Sequence, residues 1–197
     1  MKSGEILAFG AVVAIILIAL MNAMNTRTGA ALNWLFTGNG QTQQISAPAS
    51  GTSVVGGPSL SAQKVDTILS NAGSPAAGSG QTFYQDSITY NIPDEIALAF
   101  FHHESTYGLH GAASATHSIG NIVCTAGYSC IGRFRAYASW SQGIDDWYQL
   151  LSGPAYAGGG LKTLDQVIPK YAPASDGNSE TSYIQAVQAD VSTWRQS

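Results

Sequence analysis

The chain has 197 residues, only 10% of them charged, and a net charge of −4. So lean and slightly acidic a balance provides no basic surface for a phosphate backbone, so nothing points to nucleic acid as a partner. The length leaves room for one domain of about 130–140 residues, large enough to bury a core without metal or many crosslinks.

Residues 1–36 read as an anchor. Ile6–Met24 is nineteen uncharged residues with one polar member near its end, Asn22, close to the roughly 20 that a helix needs to cross hydrocarbon. A cleaved signal peptide is the alternative, but the run exceeds the ~7–15 residues of a signal core and no small-x-small site follows it. The expectation is a single transmembrane helix, with the lipid bilayer as a partner through Ile6–Met24. Lys2 and Arg27 lie on opposite sides, so charge favours neither orientation strongly; a short inner stub with the domain extracytoplasmic is the arrangement expected. Leu32–Phe36, with Trp34, suits the membrane interface. Residues 37–59 are rich in Gly, Ser, Thr and Gln with Pro48 and Pro58, and read as a flexible linker too poor in apolar surface to fold.

Residues 60–197 form the expected domain. Ser61–Leu69 places Val65, Ile68 and Leu69 on one helical face. Gly73–Gly80 is a turn-rich loop, and Phe83–Tyr90 a short helix or turn. Asn91–Gly108 is the most apolar helix: Pro93 suits its first turn, Asp94 and Glu95 match the positive end of its dipole, and Gly108 stops it. Ile96, Phe100, His103 and Tyr107 recur at steps of three and four, and Leu98, Ala99 and Phe101 widen the stripe until burial is expected nearly all round. Glu104, in the last turn, therefore points into an interior or a cleft wall. A carboxylate in such surroundings has its pKa raised, as a general acid near neutral pH requires.

Residues 118–137 suggest a small β-hairpin or extended wing. Cys124 and Cys130, the only cysteines, lie across it and fit a disulfide in an extracytoplasmic domain; C-x5-C without a second pair is poor zinc spacing. Ser139 and Thr163 each stand three residues before a Gln, as in a capping box, and should start helices. Trp140, Ile144, Trp147, Tyr148 and Leu151 line one face of the first; Pro169 should kink the second or end it early. A last helix near Glu180–Arg195 carries Ile184, Val187, Val191 and Trp194 at core spacing.

Several of these stretches share a pattern. Glu104-Ser-Thr-Tyr-Gly108 resembles the Glu-Ser-x-aromatic-Gly end of the catalytic helix in lysozyme-like peptidoglycan glycosidases. Ser118–Ile122 resembles the glycine-asparagine strand segment that follows, and Phe134–Leu151 the Phe-x-x-Tyr-x-Ser-x-x-x-Gly-Ile element. Tyr171-Ala-Pro173 and Asp176-Gly-Asn178 are similar to the closing tyrosine and Asp-x-Asn loop of the glucosaminidase and lytic-transglycosylase branch. The order of the motifs over roughly residues 60–197 makes the match specific. The resemblance implies a mainly α domain with a small β-hairpin wing, a lysozyme-like α+β fold acting on peptidoglycan glycan strands. It makes Glu104 the catalytic acid, and Tyr137 and Tyr171 resemble the tyrosines that line the cleft. Ser105, Asn121 and Asn178 are candidates to bind sugar hydroxyl or acetamido groups, and for each of these five a structural role is equally open.

Cleavage of the β-1,4 backbone needs a proton for the leaving oxygen and stabilisation of an oxocarbenium-like centre. No glutamate lies between Glu104 and Glu180, and Asp145, Asp146 and Asp176 are more simply read as solvated or capping residues. In the lytic transglycosylases of this superfamily one carboxyl acts as acid and then as base, while the sugar's 6-hydroxyl closes a 1,6-anhydro ring. That chemistry is expected ahead of hydrolysis by an endo-β-N-acetylglucosaminidase or muramidase. Hydrolytic relatives place a second acid in the wing, and Ile119–Tyr137 has none. His103-Glu-Ser-Thr-Tyr107 breaks the H-E-x-x-H zinc pattern at its last position, so no metal and no cofactor are expected. A virion membrane structural protein with a wall-binding lysozyme-like domain is the reading from another class. It would add other virion or envelope proteins as partners.

Overall fold

The computed structural model describes residues 51–197, a mainly helical chain with one two-stranded antiparallel sheet. The anchor expected at Ile6–Met24, the interfacial segment and the linker up to residue 50 lie outside the described residues. Among the described residues no helix is long and apolar enough to cross a membrane.

Ser61 Oγ accepts the Lys64 amide at the head of α1 (Ala62–Asn71), whose Val65 and Leu69 are buried. The Gly80 amide donates to Asp66 Oδ1 at 2.7 Å and opens α2 (Gly80–Tyr90), a full helix where the sequence left helix or turn open. At this contact a Cβ on Gly80 would lie 2.1 Å from the Ala62 carbonyl oxygen, so only glycine allows it. The central helix α3 (Asp94–Ser105) follows, with Ile96 through Phe101 wholly buried. Each large apolar side chain so placed contributes roughly 1.5–3 kcal/mol. After a one-turn helix α4 (Ala113–Thr116), strands β1 (Cys130–Ile131) and β2 (Phe134–Arg135) pair with Cys130 opposite Arg135 and Ile131 opposite Phe134. Gly132 supplies the positive φ of 58° that their two-residue turn needs. Val123 bridges to Phe134 on the other edge of β2.

Ser139 caps α5 (Trp140–Ser152), and Thr163 with Gln166 forms the full capping box of α6 (Leu164–Tyr171). Helix α7 (Glu180–Arg195) starts at Ser179 and packs along α3. Its buried face is Tyr183, Val187, Val191 and Trp194. Tyr183 adds to the expected stripe, and Ile184 packs half-buried against the same core. Around Phe100, one turn before Glu104, gather the rings of Trp147, Tyr171 and Tyr183 with centroids 5.1, 5.0 and 5.3 Å away.

Several expectations need correction. The stretch read as linker through residue 59 belongs to the domain from residue 51. Val54 is 0% exposed, its amide donates to the Lys162 carbonyl, the Leu164 amide donates to the Thr52 carbonyl, and Ser53 bridges Thr163. The polar average of residues 37–59 hid one valine pair and an extended backbone able to pair where α6 begins. Asp94 and Glu95 stand in the first turn of α3 as expected, and both are wholly buried there. Asp94 Oδ1 accepts the Ser59, Leu60 and Glu95 amides and the Ser59 hydroxyl, and Glu95 pairs with Arg195 at the far end of α7. Helix α3 stops at Ser105, three residues before Gly108, because Thr106 and Tyr107 already adopt left-handed φ values of 51° and 57°. His103, expected on the apolar stripe, is exposed, with its ring 3.9 Å from that of Tyr183. Residues 118–122 form a turn rather than a strand, and α6 runs two residues past Pro169 before ending.

Candidate active site

Glu104 stands one residue from the end of α3, where the chain turns through three successive left-handed residues, Thr106, Tyr107 and Gly108. For the two non-glycine residues that conformation costs about 1–2 kcal/mol each. Ser105 holds the turn: its hydroxyl donates to the Phe101 carbonyl at 3.3 Å and accepts the Gly108 amide at 2.9 Å. Gly108 has a second reason to be glycine, since a Cβ would lie 2.5 Å from Trp140 Cη2. In the Glu104-Ser-Thr-Tyr-Gly108 stretch, then, the serine and glycine fix the geometry beyond the glutamate.

The Glu104 carboxylate is held at both oxygens. Tyr183 donates its hydroxyl to Oε1 at 2.8 Å, and Asn121 Nδ2 donates to Oε2 at 3.1 Å and to the Glu104 carbonyl at 3.2 Å. Burial raises the Glu104 pKa above the usual carboxylate range, and the two hydrogen bonds pull it back only in part. Burial likewise raises Tyr183 well above the ordinary phenol value, with the neighbouring Glu104 charge adding to it. Tyr183 therefore remains a hydroxyl donor wherever the carboxyl titrates.

Asn121 sits in the turn after α4 with φ 45°, and the residue before it explains how the turn is seated. A Cβ on Gly120 would lie 2.1 Å from Tyr171 Oη and 2.3 Å from Trp147 Cδ1. The Gly120 carbonyl accepts the Tyr171 hydroxyl at 2.6 Å, and that hydroxyl accepts Trp147 Nε1–H at 3.1 Å. The polar tips of the aromatic belt around Phe100 thus tie the Asn121 turn to α5 and α6, beside the carboxylate that Tyr183 holds.

Glu104 opens into a cleft of about 520 Å³. Its lining draws Gly120, Asn121, Arg133, Phe134 and Arg135 from the turn and the hairpin, Leu150, Tyr156, Lys170 and Tyr171 from α5, α6 and the segment between them, and Asp176 and Asn178 from the turn before α7. Of the residues expected at a site, Glu104, Asn121, Tyr171 and Asn178 share this cleft. Ser105 is not among its lining residues, its hydroxyl being spent inside the turn. Tyr137 is not among them either: its hydroxyl donates to Asp146 Oδ2 at 2.5 Å, and Asp146 in turn holds Arg135 through Nη1. Asn178 is exposed, its Nδ2 reaching only the Pro173 carbonyl at 3.4 Å.

Cys124 and Cys130 form a disulfide with Cα atoms 5.9 Å apart, closing the loop that leads into β1. Tyr183 was missed in the sequence. Its signal was a tyrosine at the head of the α7 core stripe, but its link to Glu104 depends on how α3 and α7 pack, which periodicity does not give. No protein-family model and no curated protein matches this chain.

Proposed function

We propose that the chain cleaves the β-1,4 backbone of peptidoglycan as a membrane-anchored, lysozyme-like lytic transglycosylase with Glu104 as its acid and base. The observation that carries this reading is one carboxyl group with a raised pKa, gripped at both oxygens by neutral donors and open to a cleft large enough for sugar rings. The mainly helical fold with a small hairpin beside the carboxyl supports it.

Protonated Glu104 gives its proton to the glycosidic oxygen as the bond from that oxygen to C1 breaks. The carboxylate left behind is stabilised by the Tyr183 hydroxyl and Asn121 Nδ2, the same groups that hold it at rest. It then accepts the proton of the muramoyl 6-hydroxyl as O6 bonds to C1. This closes the 1,6-anhydro ring and restores the acid, with no water consumed.

Hydrolysis is a second reading, and Asp176 favours it, because this carboxylate lines the same cleft. Product analysis separates the two: anhydro ends mean transglycosylation and reducing ends mean hydrolysis. In the full-length chain Glu104→Gln keeps the side chain's shape and loses the proton. It is expected to lower wall cleavage on the order of 10²–10⁴-fold, the usual contribution of a positioned acid, with the circular dichroism spectrum unchanged. Undiminished cleavage by the folded variant would remove Glu104 from the mechanism.

A further inference from the structure

The described residues contain six lysines and arginines, and three of them, Arg133, Arg135 and Lys170, line the Glu104 cleft. The others are engaged elsewhere: Lys64 donates to Ser197 Oγ, Lys162 to the Ala157 carbonyl and Arg195 to Glu95. Within the cleft Arg135 is neutralised, since Asp146 takes its Nη1 through both carboxylate oxygens and the Tyr128 ring covers its guanidinium at 3.6 Å. Arg133 and Lys170 have no side-chain hydrogen bond or ion pair among the described residues, although Glu104 and Asp176 line the same cleft.

These two cations come from different elements. Arg133 is the second turn residue of the hairpin, with its guanidinium carbon 5.2 Å from the centre of the Phe134 ring. Lys170 is near the end of α6, with its ammonium 5.5 Å from the centre of the Tyr156 ring. Both rings also line the cleft. On each of two elements, then, a cation without a hydrogen bond or ion pair lies over an aromatic ring of the cleft lining. A chain carrying net negative charge has no general reason to gather around one cleft the cations that lack an ion pair. A neutral glycan would leave them without partners.

We propose that Arg133 and Lys170 bind carboxylates carried by the glycan, so that the cleft selects strands bearing the anionic muramoyl substituent over neutral N-acetylglucosamine polymers. This rests on the reading of the chain as a peptidoglycan-cleaving enzyme. The same chemistry has two sources: the lactyl carboxylate of strands stripped of peptide, and the carboxylates of attached stem peptides. The cations do not take part in bond cleavage; they set where along the strand Glu104 meets a glycosidic oxygen.

The test measures binding to the full-length chain in detergent, with Glu104→Gln present so that no probe is cut. Three soluble probes of equal sugar number are used: a neutral chitotetraose, a peptide-free tetrasaccharide with lactyl carboxylates, and the same tetrasaccharide with stem peptides. An anionic probe should bind about three- to tenfold more tightly than chitotetraose, as expected for one or two partly exposed ion pairs. Raising the salt concentration should narrow that ratio, and Arg133→Gln with Lys170→Gln should bring it towards one. Whether the peptide-free probe shows the preference, or only the peptide-bearing one, identifies the carboxylate. Equal binding of all three probes, or a preference that survives both substitutions, overturns the proposal and leaves the glycosidase reading standing. Binding of none overturns both.

Discussion

At the scale of single residues, Glu104 is set by opposing forces of known sign. Burial favours its neutral form, whereas the Tyr183 hydroxyl and Asn121 amide favour the charged one, and burial is the larger. Tyr183→Phe removes one donor to the carboxylate and leaves burial in place, so the Glu104 pKa should rise further. An acid that must be protonated loses activity as pH climbs through its pKa, so the alkaline limb of the kcat/KM profile should move to higher pH in Tyr183→Phe. The maximal rate should fall as well, because the carboxylate formed on proton transfer has lost a stabilising partner. A profile of unchanged shape, merely lower, would mean that Tyr183 only supports the packing around Phe100 and His103. None of this coupling could be read in the chain. Glu104 was recognisable from its own helix and neighbouring motif, but its two partners lie 17 and 79 residues away. No periodic pattern encodes a hydroxyl meeting a carboxylate across two packed helices. Tyr137 shows the converse. Its motif placed it among the cleft tyrosines, and the shared environment of Arg135 and Asp146 drew its hydroxyl to an ion pair instead.

At the scale of elements, the amphipathic helices were legible because burial imposes a 3.6-residue period, and Ser139 and Thr163 marked helix starts because a free amide needs an acceptor. The irregular elements were not. The turn at Ile119–Asn121 carries Asn121 to Glu104 and has no period to detect; what fixes it is contact, with Gly120 pressed against Tyr171 and Trp147. Gly120→Ala would force a methyl group into the Trp147 ring and the Tyr171 hydroxyl, and part that hydroxyl from the Gly120 carbonyl. It should destabilise the domain by about 1–3 kcal/mol, the usual cost of overpacking, read as a lower urea midpoint. Cleavage should fall more than the loss of folded protein explains, because Asn121 moves with the turn. Gly57→Ala, where a Cβ meets nothing within 4 Å, is the matched control. If the two variants had the same midpoint and activity, the close approach would not be what positions Asn121.

At the scale of the whole molecule, the domain begins earlier than its composition suggests, and the extra segment reaches α3, the helix that carries Glu104. Thr52 and Ser53 pair with the start of α6, Val54 fills a buried site, and Ser59 with Leu60 donates to Asp94 at the first residue of α3. A domain cut at Leu60, the boundary that polar composition suggests, would lose the Val54 burial, worth roughly 1.5–3 kcal/mol. It would also strip Asp94 of both Ser59 donors, each net hydrogen bond lost costing about 0.5–1.5 kcal/mol, while the Leu60 and Glu95 nitrogens still serve the same oxygen. Burial already raises the Asp94 pKa, and the amides of Ser59 and Leu60 are the largest influences opposing that shift. With the Leu60 nitrogen kept as an amide by N-terminal acetylation, because a free ammonium beside Asp94 would hold the carboxylate charged, losing Ser59 pushes Asp94 further towards its neutral form. A chain beginning at Gly51 should therefore be about 2–5 kcal/mol more stable in urea than one beginning at Leu60. The gap should narrow as pH falls and Asp94 is protonated in both, because the neutral carboxyl depends less on donors. Equal midpoints at neutral pH would show that residues 51–59 lie on the domain without holding it, and that the linker boundary belongs near residue 59 after all.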